Sequence, residues 1–360
     1  MVVCEGHKEP CKKCVVKKEG KNVGRPFWAC SKERSSQCDF FKWADVPIVK
    51  AGSKSGTGTI VRITSNASNP LPTLRLPPTN PVAVAPTTAV RRSTKEEWMA
   101  ALTVTSFDVE RIKNVEQRTP EWLNARIGRL TASNFGTAAG HNKHQSSKRL
   151  VNELLWKSFS GNKATRWGTF FEPVALAAYT AKRIDEIGRK HIDALKDGGQ
   201  GIAPAQLAFE VSSSGLNVCQ AIPWLAFSPD GIVHTTDDSG HPVTALLEIK
   251  CPFGGEVYAK CGKYDKPPHP LIPPGIPAQY YDQIQGIMAL GGYPWADFCV
   301  WTPDEMDIKR YAFDKVYWDT VLYPALHRFY FELYLPAALD KENGKVKEDG
   351  DEAESVIELD

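Results

Sequence analysis

Charged residues within an apolar β-hairpin constrain the fold of this chain more than any other feature. Glu248 and Lys250 are two apart in the segment LLEIK, so on a β-strand their side chains lie on the same face. Gly231–Thr235 and Val243–Cys251 can pair as a hairpin through the turn DDSG, which brings Asp230 beside Glu248. The neighbouring residues are apolar and predict a buried strand, where charges need a partner or a metal ion.

Asp230 and Glu248 in this arrangement predict a site for a hard divalent cation. Mg²⁺ (or Mn²⁺) prefers oxygen ligands, and Mg²⁺ retains several of its waters. The ammonium of Lys250 beside such a cation can orient a water molecule or stabilise the negative charge of a phosphoryl transition state. The same Glu-x-Lys spacing also occurs on solvated sheet faces, so the alternative is an exposed charged strand.

Further motifs occur in order around this hairpin. They are Trp122-x3-Arg126-IGRL-Thr131-A-Ser133, Trp167-G-x3-Glu172-x6-Tyr179, SPDG, LEIKCP and Tyr281-D-Gln283-I-Gln285. Together they resemble the YqaJ-type viral recombinase family of lambda exonuclease-like nucleases, from about Asn114 to Pro303. The resemblance implies an α/β fold with a PD-(D/E)xK, restriction-endonuclease-like core, in which helices flank a mixed central sheet.

The resemblance also implies roles for single residues. The implied Mg²⁺ ligands are Glu172, Asp230, Glu248 and the backbone carbonyl of Ile249. Lys250 corresponds to the catalytic lysine, and Gln283 to a glutamine beside the attacking water and the scissile phosphate.

Several of these positions have a plainer structural interpretation. Glu172 would then be an ordinary exposed helical residue, with Pro173 in the first turn of its helix. Gln285 would be a hydrogen-bonded core amide. Packing is the preferred interpretation of three aromatic residues: Trp122, Trp167 and Tyr179.

Arg126, Thr131 and Ser133 match the family's pocket for a 5′-phosphate. A guanidinium can donate paired hydrogen bonds to phosphate oxygens, and hydroxyls with helix N-terminal amides can complete the pocket. Ser133 has a second interpretation as the N-cap of a helix that begins at Asn134.

Two segments depart from the family pattern. Residues 183–207 are predicted to form an insertion after the helix that carries Glu172, and the prolines between Cys261 and Ala278 exclude a regular helix there. In the relatives, segments near these positions contact DNA or neighbouring subunits. The departures therefore bear on the homo-oligomer, a trimer, that the resemblance implies.

The N-terminal residues predict a separate metal site. Cys4 and His7 have the spacing of a metal-binding knuckle, and Cys30 and Cys38 lie on two arms that a small sheet could bring together. Three thiolates and one imidazole make a closed tetrahedral Zn²⁺ site. A unit of this size buries too little apolar surface to fold unaided, so Zn²⁺ would stabilise the fold.

The same region resembles the GRF-type zinc finger. The resemblance rests on Gly24-Arg25-x-Phe27 and on the terminal motif FFxW, and it covers Cys4 to Trp43. It favours Cys4, His7, Cys30 and Cys38 as the Zn²⁺ ligands. Cys11 and Cys14 form a competing Cys-x2-Cys pair, and one of them could replace a ligand.

Family members use this finger to bind single-stranded nucleic acid, and the composition agrees. Up to Trp43 the chain has ten Lys and Arg residues against five acidic residues. Cations can follow phosphates while aromatic rings stack on bases, which makes Arg25 and Phe27 candidate contacts with single-stranded DNA. In the alternative, Phe27 belongs to a small core and the lysines provide solubility.

Composition divides the chain into four segments. The predicted segments are a finger at 1–47, a disordered linker rich in Ser, Thr and Pro at 48–95, a nuclease domain at 96–340 and an acidic disordered tail at 341–360. Lys95–Asn114 is predicted to be a helical lead-in that docks through Trp98, Met99 and Leu102, and Arg310–Leu339 to be helical and aromatic-rich.

The predicted activity is metal-dependent exonucleolytic cleavage of DNA in the 5′→3′ direction from duplex ends, in recombination or repair. The alternatives are an endonuclease of a virus or mobile element, and a non-catalytic DNA-binding recruiter. The expected partners are duplex ends, single strands and a single-strand annealing or recombination protein. The absence of a membrane-length apolar run and of a disulfide framework predicts an intracellular protein without membrane contact, and the finger's resemblance favours the nucleus.

Overall fold

The computed structural model describes ten stretches of the chain. They are residues 4, 7–15, 26–33, 38, 41–43, 92–156, 161–196, 208–237, 239–254 and 264–345. The predicted linker up to residue 91, most of the acidic tail, and Arg25 lie outside the described residues. Internal contacts divide the chain into two units, Met1–Arg75 and Leu76–Asp360.

The first unit contains a small antiparallel sheet in the order β1-β2-β3. Its strands are β1 (Lys12–Val15), β2 (Pro26–Ala29) and β3 (Phe41–Trp43). Cys30 directly follows β2 and is fully buried, as is Cys4. The sheet therefore places the end of its central strand at the cysteine-rich centre of the unit.

The second unit is a mixed α/β domain. Its strands are β4 (Leu130–Thr131), β5 (Glu210–Ser212), β6 (Asn217–Val218), β7 (Leu225–Phe227), β8 (Gly231–Thr236), β9 (Pro242–Lys250), β10 (Trp295–Trp301) and β11 (Met306–Ala312). Its helices are α1 (Lys95–Leu102), α2 (Ser106–Lys113), α3 (Pro120–Arg126), α4 (Phe135–Ala138), α5 (Ser147–Trp156), α6 (Lys163–Lys196), α7 (Ala278–Gly291), α8 (Lys315–Tyr317), α9 (Tyr323–Arg328) and α10 (Leu335–Glu342). Short π-helical segments join α8, α9 and α10.

The central sheet is five-stranded, in the order β11-β10-β9-β8-β5. Strands β9 and β10 are parallel, and the other neighbouring pairs are antiparallel. A smaller sheet has the order β4-β7-β6. The predicted mixed sheet flanked by helices is confirmed.

Strand β9 is buried on both faces, which explains its nearly continuous apolar sequence. Leu246 belongs to the larger core cluster, together with residues of α7 and of the C-terminal helices. Its neighbour Leu247 points to the opposite face and packs with Ala175 and Tyr179 of α6. The predicted charges of β9 therefore lie on a strand covered by helices on either side.

The predicted hairpin forms as β8 and β9, with Gly231 opposite Leu247. Asp237 stabilises the turn, because its carboxylate accepts hydrogen bonds from the backbone amides of Ser239 and His241. Gly240 adopts a φ of 82°, a left-handed conformation that favours glycine. The turn thus sets the register in which the end of β9 pairs with the start of β8.

The predicted helical lead-in is divided into α1 and α2. Thr94 forms a capping box at the start of α1, and Thr105 forms another at the start of α2. The cap at Thr105 begins a new helix, so the lead-in is not one continuous helix. Trp98 and Leu102 are buried in the core, and Met99 packs against it, as predicted.

Two other helix predictions were partly wrong. The helical stretch expected from Arg310 begins later, because β11 continues through Ala312. Helix α6 runs through the first part of the predicted insertion to Lys196, and Pro173 lies inside this helix, not in its first turn. Residues 264–277, which contain the clustered prolines, are free of helix, as predicted.

A buried carboxylate ties α6 to the central sheet. Asp297 of β10 is fully buried and accepts hydrogen bonds from Tyr179 (2.8 Å) and Arg183 (2.7 Å) of α6. Arg310 of β11 donates two more, at 2.8 and 3.0 Å. These charge-assisted bonds fix the position of α6 along the sheet.

Helices α4 and α7 are in close backbone contact at Gly136. A Cβ atom at this position would lie 2.3 Å from the Cα atom of Gln279. Only glycine allows the two helices to approach this closely. No helix among the described residues is long and apolar enough to cross a membrane.

Candidate functional site

The predicted Glu248–Lys250 pair lies at the end of β9 with Gln283 of α7 beside it. The Lys250 ammonium is 2.6 Å from Oε1 of Glu248 and donates a hydrogen bond of 3.2 Å to Oε1 of Gln283. The side-chain amide of Gln283 donates to the same Glu248 oxygen at 2.5 Å. The three side chains therefore form one closed network.

Glu248 retains an oxygen that this network does not use. The side chain is 1% exposed, and Oε2 is buried without a hydrogen-bond partner among the described residues. An unsatisfied carboxylate oxygen is costly in a protein interior, and binding of a cation is one arrangement that satisfies it. The orphaned oxygen therefore fits a metal ligand.

Asp230 immediately precedes β8 and approaches the same point. Its Oδ2 atom accepts a 2.7 Å hydrogen bond from the backbone amide of Ile249, which fixes the carboxylate against β9. Burial, together with the negative charge of Glu248, raises the pKa of Asp230 to about 7. Burial also raises the pKa of Glu248, although Lys250 opposes the shift. Two carboxylates crowded in this way favour a bound cation or a shared proton.

Glu172 reaches this site from α6. Burial raises its pKa, and the charge of Asp230 adds to the effect. Oε2 of Glu172 accepts a 3.0 Å hydrogen bond from Arg118, whose backbone has a φ of 70°. Glu172 is therefore a partly buried residue at the site, and its interpretation as an ordinary exposed helical residue was wrong.

An open cleft of about 490 Å³ connects the site to solvent. Glu172, Asp230, Ile249 and Lys250 are among its lining residues. Carboxylate and carbonyl oxygens are the ligands that Mg²⁺ and Mn²⁺ prefer. The residues present therefore fit a hard divalent cation that a substrate can reach.

A second cluster lies between α3 and α4. Arg126 donates a 3.0 Å hydrogen bond to the hydroxyl of Thr131, and the Thr131 and Ser133 hydroxyls are 3.4 Å apart. The guanidinium stacks 4.1 Å from the centre of the Trp122 ring, and burial lowers the pKa of Arg126 to about 10. None of the described carboxylates forms an ion pair with it. The cluster thus holds a cation that has no counter-ion among the residues that the structure describes.

Ser133 does not cap a helix. It lies inside a 3₁₀ turn, Ala132–Asn134, which precedes α4. The N-cap interpretation of Ser133 was wrong, because the chain turns before the α-helix begins. The exposed hydroxyl remains next to Thr131, in the predicted pocket.

The predicted zinc ligands come together in the first unit. The ligand atoms of Cys4, His7, Cys30 and Cys38 all lie within 4.8 Å of one another. Burial opposes ionisation of Cys30, but hydrogen bonds from the backbone amides of Lys32 and Cys38 lower the pKa of its thiol to about 6. A set of three thiols and one imidazole fits a structural zinc ion.

The competing cysteine pair lies outside that cluster. Cys14 is on β1 opposite Phe27, and neither Cys14 nor Cys11 belongs to the four-residue group. Phe27 is half-buried in β2, and Lys13 lies 5.9 Å above the ring of the neighbouring Trp28. An aromatic surface with a nearby cation thus occurs on this sheet.

Two family sequence models match the chain. Residues 121–294 match the YqaJ-like viral recombinase domain, and residues 2–47 match the GRF zinc finger. The chain contains a YqaJ-like domain and a GRF zinc finger. Both resemblances predicted from the sequence are confirmed.

Two curated proteins match short parts of the chain. DNA topoisomerase 3-alpha of Drosophila melanogaster is 39% identical over 74 residues, which are 20% of this chain and 6% of that protein. Endonuclease 8-like 3 of Xenopus laevis is 49% identical over 43 residues, 12% of this chain and 7% of that protein. The match thus spans less than a tenth of either relative.

Among solved structures, the chain is similar to an alkaline exonuclease from Laribacter hongkongensis. The identity is 26%, the match covers 63% of this chain and 97% of that chain, and the TM-score is 0.42.

Three residues near the YqaJ-like site were not predicted to act there. Arg118 binds Glu172, Trp122 stacks on Arg126, and Tyr280 lies with its ring centre 4.9 Å from the Lys250 ammonium. Trp122 had a sequence signal, because it begins the same motif as Arg126, but it was assigned to packing alone. Arg118 and Tyr280 carried no signal, since their contacts join residues far apart in sequence.

Proposed function

We propose that the YqaJ-like domain is a metal-dependent DNA exonuclease that degrades duplex ends in the 5′→3′ direction. The observation that carries the proposal is the buried Glu248, which binds Lys250 and Gln283 through one oxygen and leaves the other without a hydrogen-bond partner in the described part of the chain. Such a site is suited to hydrolysis of a phosphodiester at a divalent cation. The family match at residues 121–294 supports a role in DNA recombination.

Glu172, Asp230, Glu248 and the carbonyl of Ile249 would hold Mg²⁺ or Mn²⁺ in this proposal. When bound, the cation would supply a Lewis acid for the phosphate and would favour ionisation of water. The protein positions the reacting groups around that point. Asp230 is fixed by the amide of Ile249, and Glu172 is fixed by Arg118 and by the attachment of α6 to the sheet.

Lys250 acts as a cation in the proposed mechanism. Burial alone would lower its pKa, but the charges of Glu248 and Asp230 outweigh this effect and raise the pKa. The ammonium therefore stays protonated, donates to a water or phosphate oxygen, and stabilises negative charge in the transition state. Gln283 binds both Lys250 and Glu248, so it holds the lysine toward the cleft and helps to orient the attacking water.

The proposed polarity rests on Arg126, Thr131 and Ser133. A terminal 5′-phosphate would accept hydrogen bonds from the guanidinium and the two hydroxyls. Trp122 keeps the guanidinium plane in place by stacking, which prepares it to bind phosphate oxygens. A strand held by its 5′ end would be cut at the next accessible phosphodiester and would release a 5′-mononucleotide.

The GRF finger would hold single-stranded DNA, with zinc bound by Cys4, His7, Cys30 and Cys38. Phe27 and the lysines of β1 support this proposal, because single strands bind surfaces that combine rings with cations. Arg25 is proposed as a further contact from the sequence. A single-strand annealing or recombination protein, a homotrimer and a nuclear location are proposed from the family resemblances.

The proposal is tested with end-labelled linear duplexes and closed circular DNA in Mg²⁺ or Mn²⁺. Linear duplexes with 5′-phosphate should release mononucleotides faster than duplexes with 5′-hydroxyl, and circles should remain intact. Cutting of circles would support an endonuclease. DNA binding without cleavage of any substrate would overturn the nuclease assignment and favour a recruiter.

A further inference from the structure

Phe253 presents an aromatic ring at the candidate active-site cleft. The residue is 55% exposed and follows Lys250 by three positions, in the segment that leaves β9. Its ring lines the same cleft as Glu172 and Asp230. A single exposed ring is common on protein surfaces, so its position beside the carboxylates, and not its exposure, is informative.

The ring of Phe253 is supported from behind by other aromatic residues. It packs edge-on against Trp167, with ring centres 5.6 Å apart and planes at 85°. Trp167 lies 4.3 Å from Phe171, which stacks on Trp301 of β10 at 5.2 Å. This chain of rings runs from the sheet to the cleft. Phe253 therefore has a supported position from which one face of its ring can meet a ligand.

The first turns of α6 give the cleft a low wall. Its lining residues there are small: Ala164, Thr165, Gly168 and Thr169. A Cβ atom added to Gly168 would meet no other atom within 4 Å, so open space lies beyond its backbone. A cleft with an aromatic ring, small side chains and nearby hydroxyls has room for a flat, polar-edged group.

We propose that Phe253 is a stacking platform for an unpaired nucleobase next to the scissile phosphate. This inference rests on the proposed function, because it assumes that the phosphate binds at Glu172, Asp230 and Glu248. Stacking on an aromatic ring accepts any base, since every base has a flat π-face. A base inside a duplex has both faces covered by its neighbours. The platform would therefore select the frayed or unpaired form of a DNA end.

The test combines changes in the ring with changes in the base. Full-length protein carrying Lys250→Gln, which keeps all four proposed metal ligands, is mixed in Mg²⁺ with 5′-phosphorylated duplexes. The duplexes carry 2-aminopurine at one of the unpaired nucleotides of a short 5′ overhang, because a paired 2-aminopurine is already quenched by its stacked neighbours. Stacking on Phe253 should quench the fluorescence of this base at one position. The quenching should persist with Phe253→Tyr and Phe253→Trp and disappear with Phe253→Leu, which keeps apolar volume without a flat face.

An abasic nucleotide at the same position measures the contribution of the base. Protein that has Phe253 should bind the abasic duplex about tenfold more weakly than the duplex that carries the base. This difference between the two duplexes should vanish in Phe253→Leu. Phe107→Leu is the matched control, because Phe107 is 76% exposed on α2 and should change neither result.

The possible failures are distinguishable. Equal quenching and an equal abasic penalty in Phe253→Leu would overturn the platform, even if the wild-type protein cleaves DNA. A loss of thermal stability in all three Phe253 variants, with quenching unchanged, would assign the ring to the protein core and overturn it too. Phe253-dependent quenching in a protein whose wild type never cleaves DNA would support the platform and overturn the exonuclease.

Discussion

The two candidate metal sites of this chain differ in what surrounds their proposed ligands. In the finger, three thiols and an imidazole lie together in a unit with a small three-stranded sheet, and Cys4 and Cys30 are fully buried. In the YqaJ-like domain, carboxylates lie at one end of a five-stranded sheet that has apolar clusters on both faces, and they border an open cleft. Zinc would thus stabilise the first region, whereas the second region folds around a hydrophobic core of its own.

This difference explains how the YqaJ-like domain can stay folded although its crowded carboxylates lower its stability. A domain with an independent core can tolerate crowded charges at one end of its sheet, because the remaining packing stabilises the fold. A zinc finger cannot tolerate the loss of its ligands, because metal binding supplies most of its folding free energy. The predictions below test this contrast, in order of decreasing effect.

Asp230→Asn should have the largest effect on activity and should leave the domain folded. Removal of one proposed ligand should lower the rate of DNA cleavage by about a thousandfold. The same change should raise the free energy of unfolding measured without Mg²⁺ at neutral pH, since it removes a charge next to Glu248. End-labelled cleavage assays and urea denaturation measure the two quantities.

Glu210→Gln is the control for this change. Glu210 is an exposed acidic residue on β5, next to the strand that follows Asp230. It should alter neither cleavage nor stability. A lower stability of Asp230→Asn than of wild type would contradict the proposed crowding of charge.

Metal removal should separate the two regions. A chelator for Mg²⁺ should stop cleavage at once, and added Mg²⁺ should restore it. The YqaJ-like domain should stay folded without the cation, with a modestly lower unfolding temperature, because the cation no longer offsets the crowded carboxylates. Removal of zinc should unfold the finger, since structural zinc binding contributes about 10–16 kcal/mol to such units. Colorimetric zinc release and circular dichroism measure these outcomes.

Cys30→Ser provides the corresponding variant. It should lose zinc and single-strand binding, while the unfolding transition of the YqaJ-like domain stays in place. Retention of stoichiometric zinc by this variant would show that Cys11 or Cys14 can replace the missing ligand.

Arg126→Lys should remove most of the preference for 5′-phosphorylated ends. A lysine ammonium cannot make the paired hydrogen bonds of a guanidinium or stack in the same way on Trp122. We expect kcat/KM to fall about tenfold or more for 5′-phosphorylated duplexes and to change little for 5′-hydroxyl duplexes. Arg111→Lys, at an exposed ion pair with Glu121, is the matched control. An equal loss on both kinds of end would argue against a phosphate pocket.

The smallest expected effect is a pH dependence that differs in sign between the two regions. The hydrogen bond to Asp282 raises the pKa of His141 above its ordinary value of 6.5. The resulting stabilisation is complete below pH 6.5, the pKa of the unfolded state, and is lost as the pH rises through the higher pKa of His141 in the folded state. It should amount to about 1 kcal/mol, the typical net contribution of one hydrogen bond.

The finger should respond in the opposite direction, since acid protonates thiolates and displaces zinc. Urea denaturation of wild type and His141→Gln across this pH range isolates the contribution of His141. A stability of wild type that rises with pH relative to His141→Gln would contradict the assigned sign.

Local patterns allowed much of this architecture to be predicted. The apolar residues around the charges of β9 and the turn that precedes it identified the hairpin, because strand pairing across a short turn depends on neighbouring residues. The spacing of Cys4 and His7 indicated a metal site, and the resemblance to the GRF finger selected the four ligands over Cys11 and Cys14. Several residues in the lead-in could cap a helix, and the sequence did not show which of them does. Thr105 was therefore not recognised as the N-cap of a second helix.

Contacts between distant segments were not predictable in this way. Gln283 was assigned only through the family resemblance. Arg118 was missed because the residue that it binds, Glu172, is 54 positions away in the sequence. Pro173 was placed in a first turn because proline favours that position, but the packing of α6 against the sheet keeps the helix intact around it. Tertiary packing decided each of these cases.

The missing side chain at Gly136 has a consequence for product size. The chain segment just before α4 carries the proposed phosphate-binding hydroxyls, and α7 carries Gln283 one turn beyond the point of contact. Because the two backbones touch, the distance between the proposed 5′-phosphate pocket and the proposed cleavage site would be fixed by the protein and would not depend on DNA sequence. Gly136→Ala would separate the two backbones by much less than the length of one nucleotide, so the variant should be less stable and should cleave more slowly while its products remain mononucleotides.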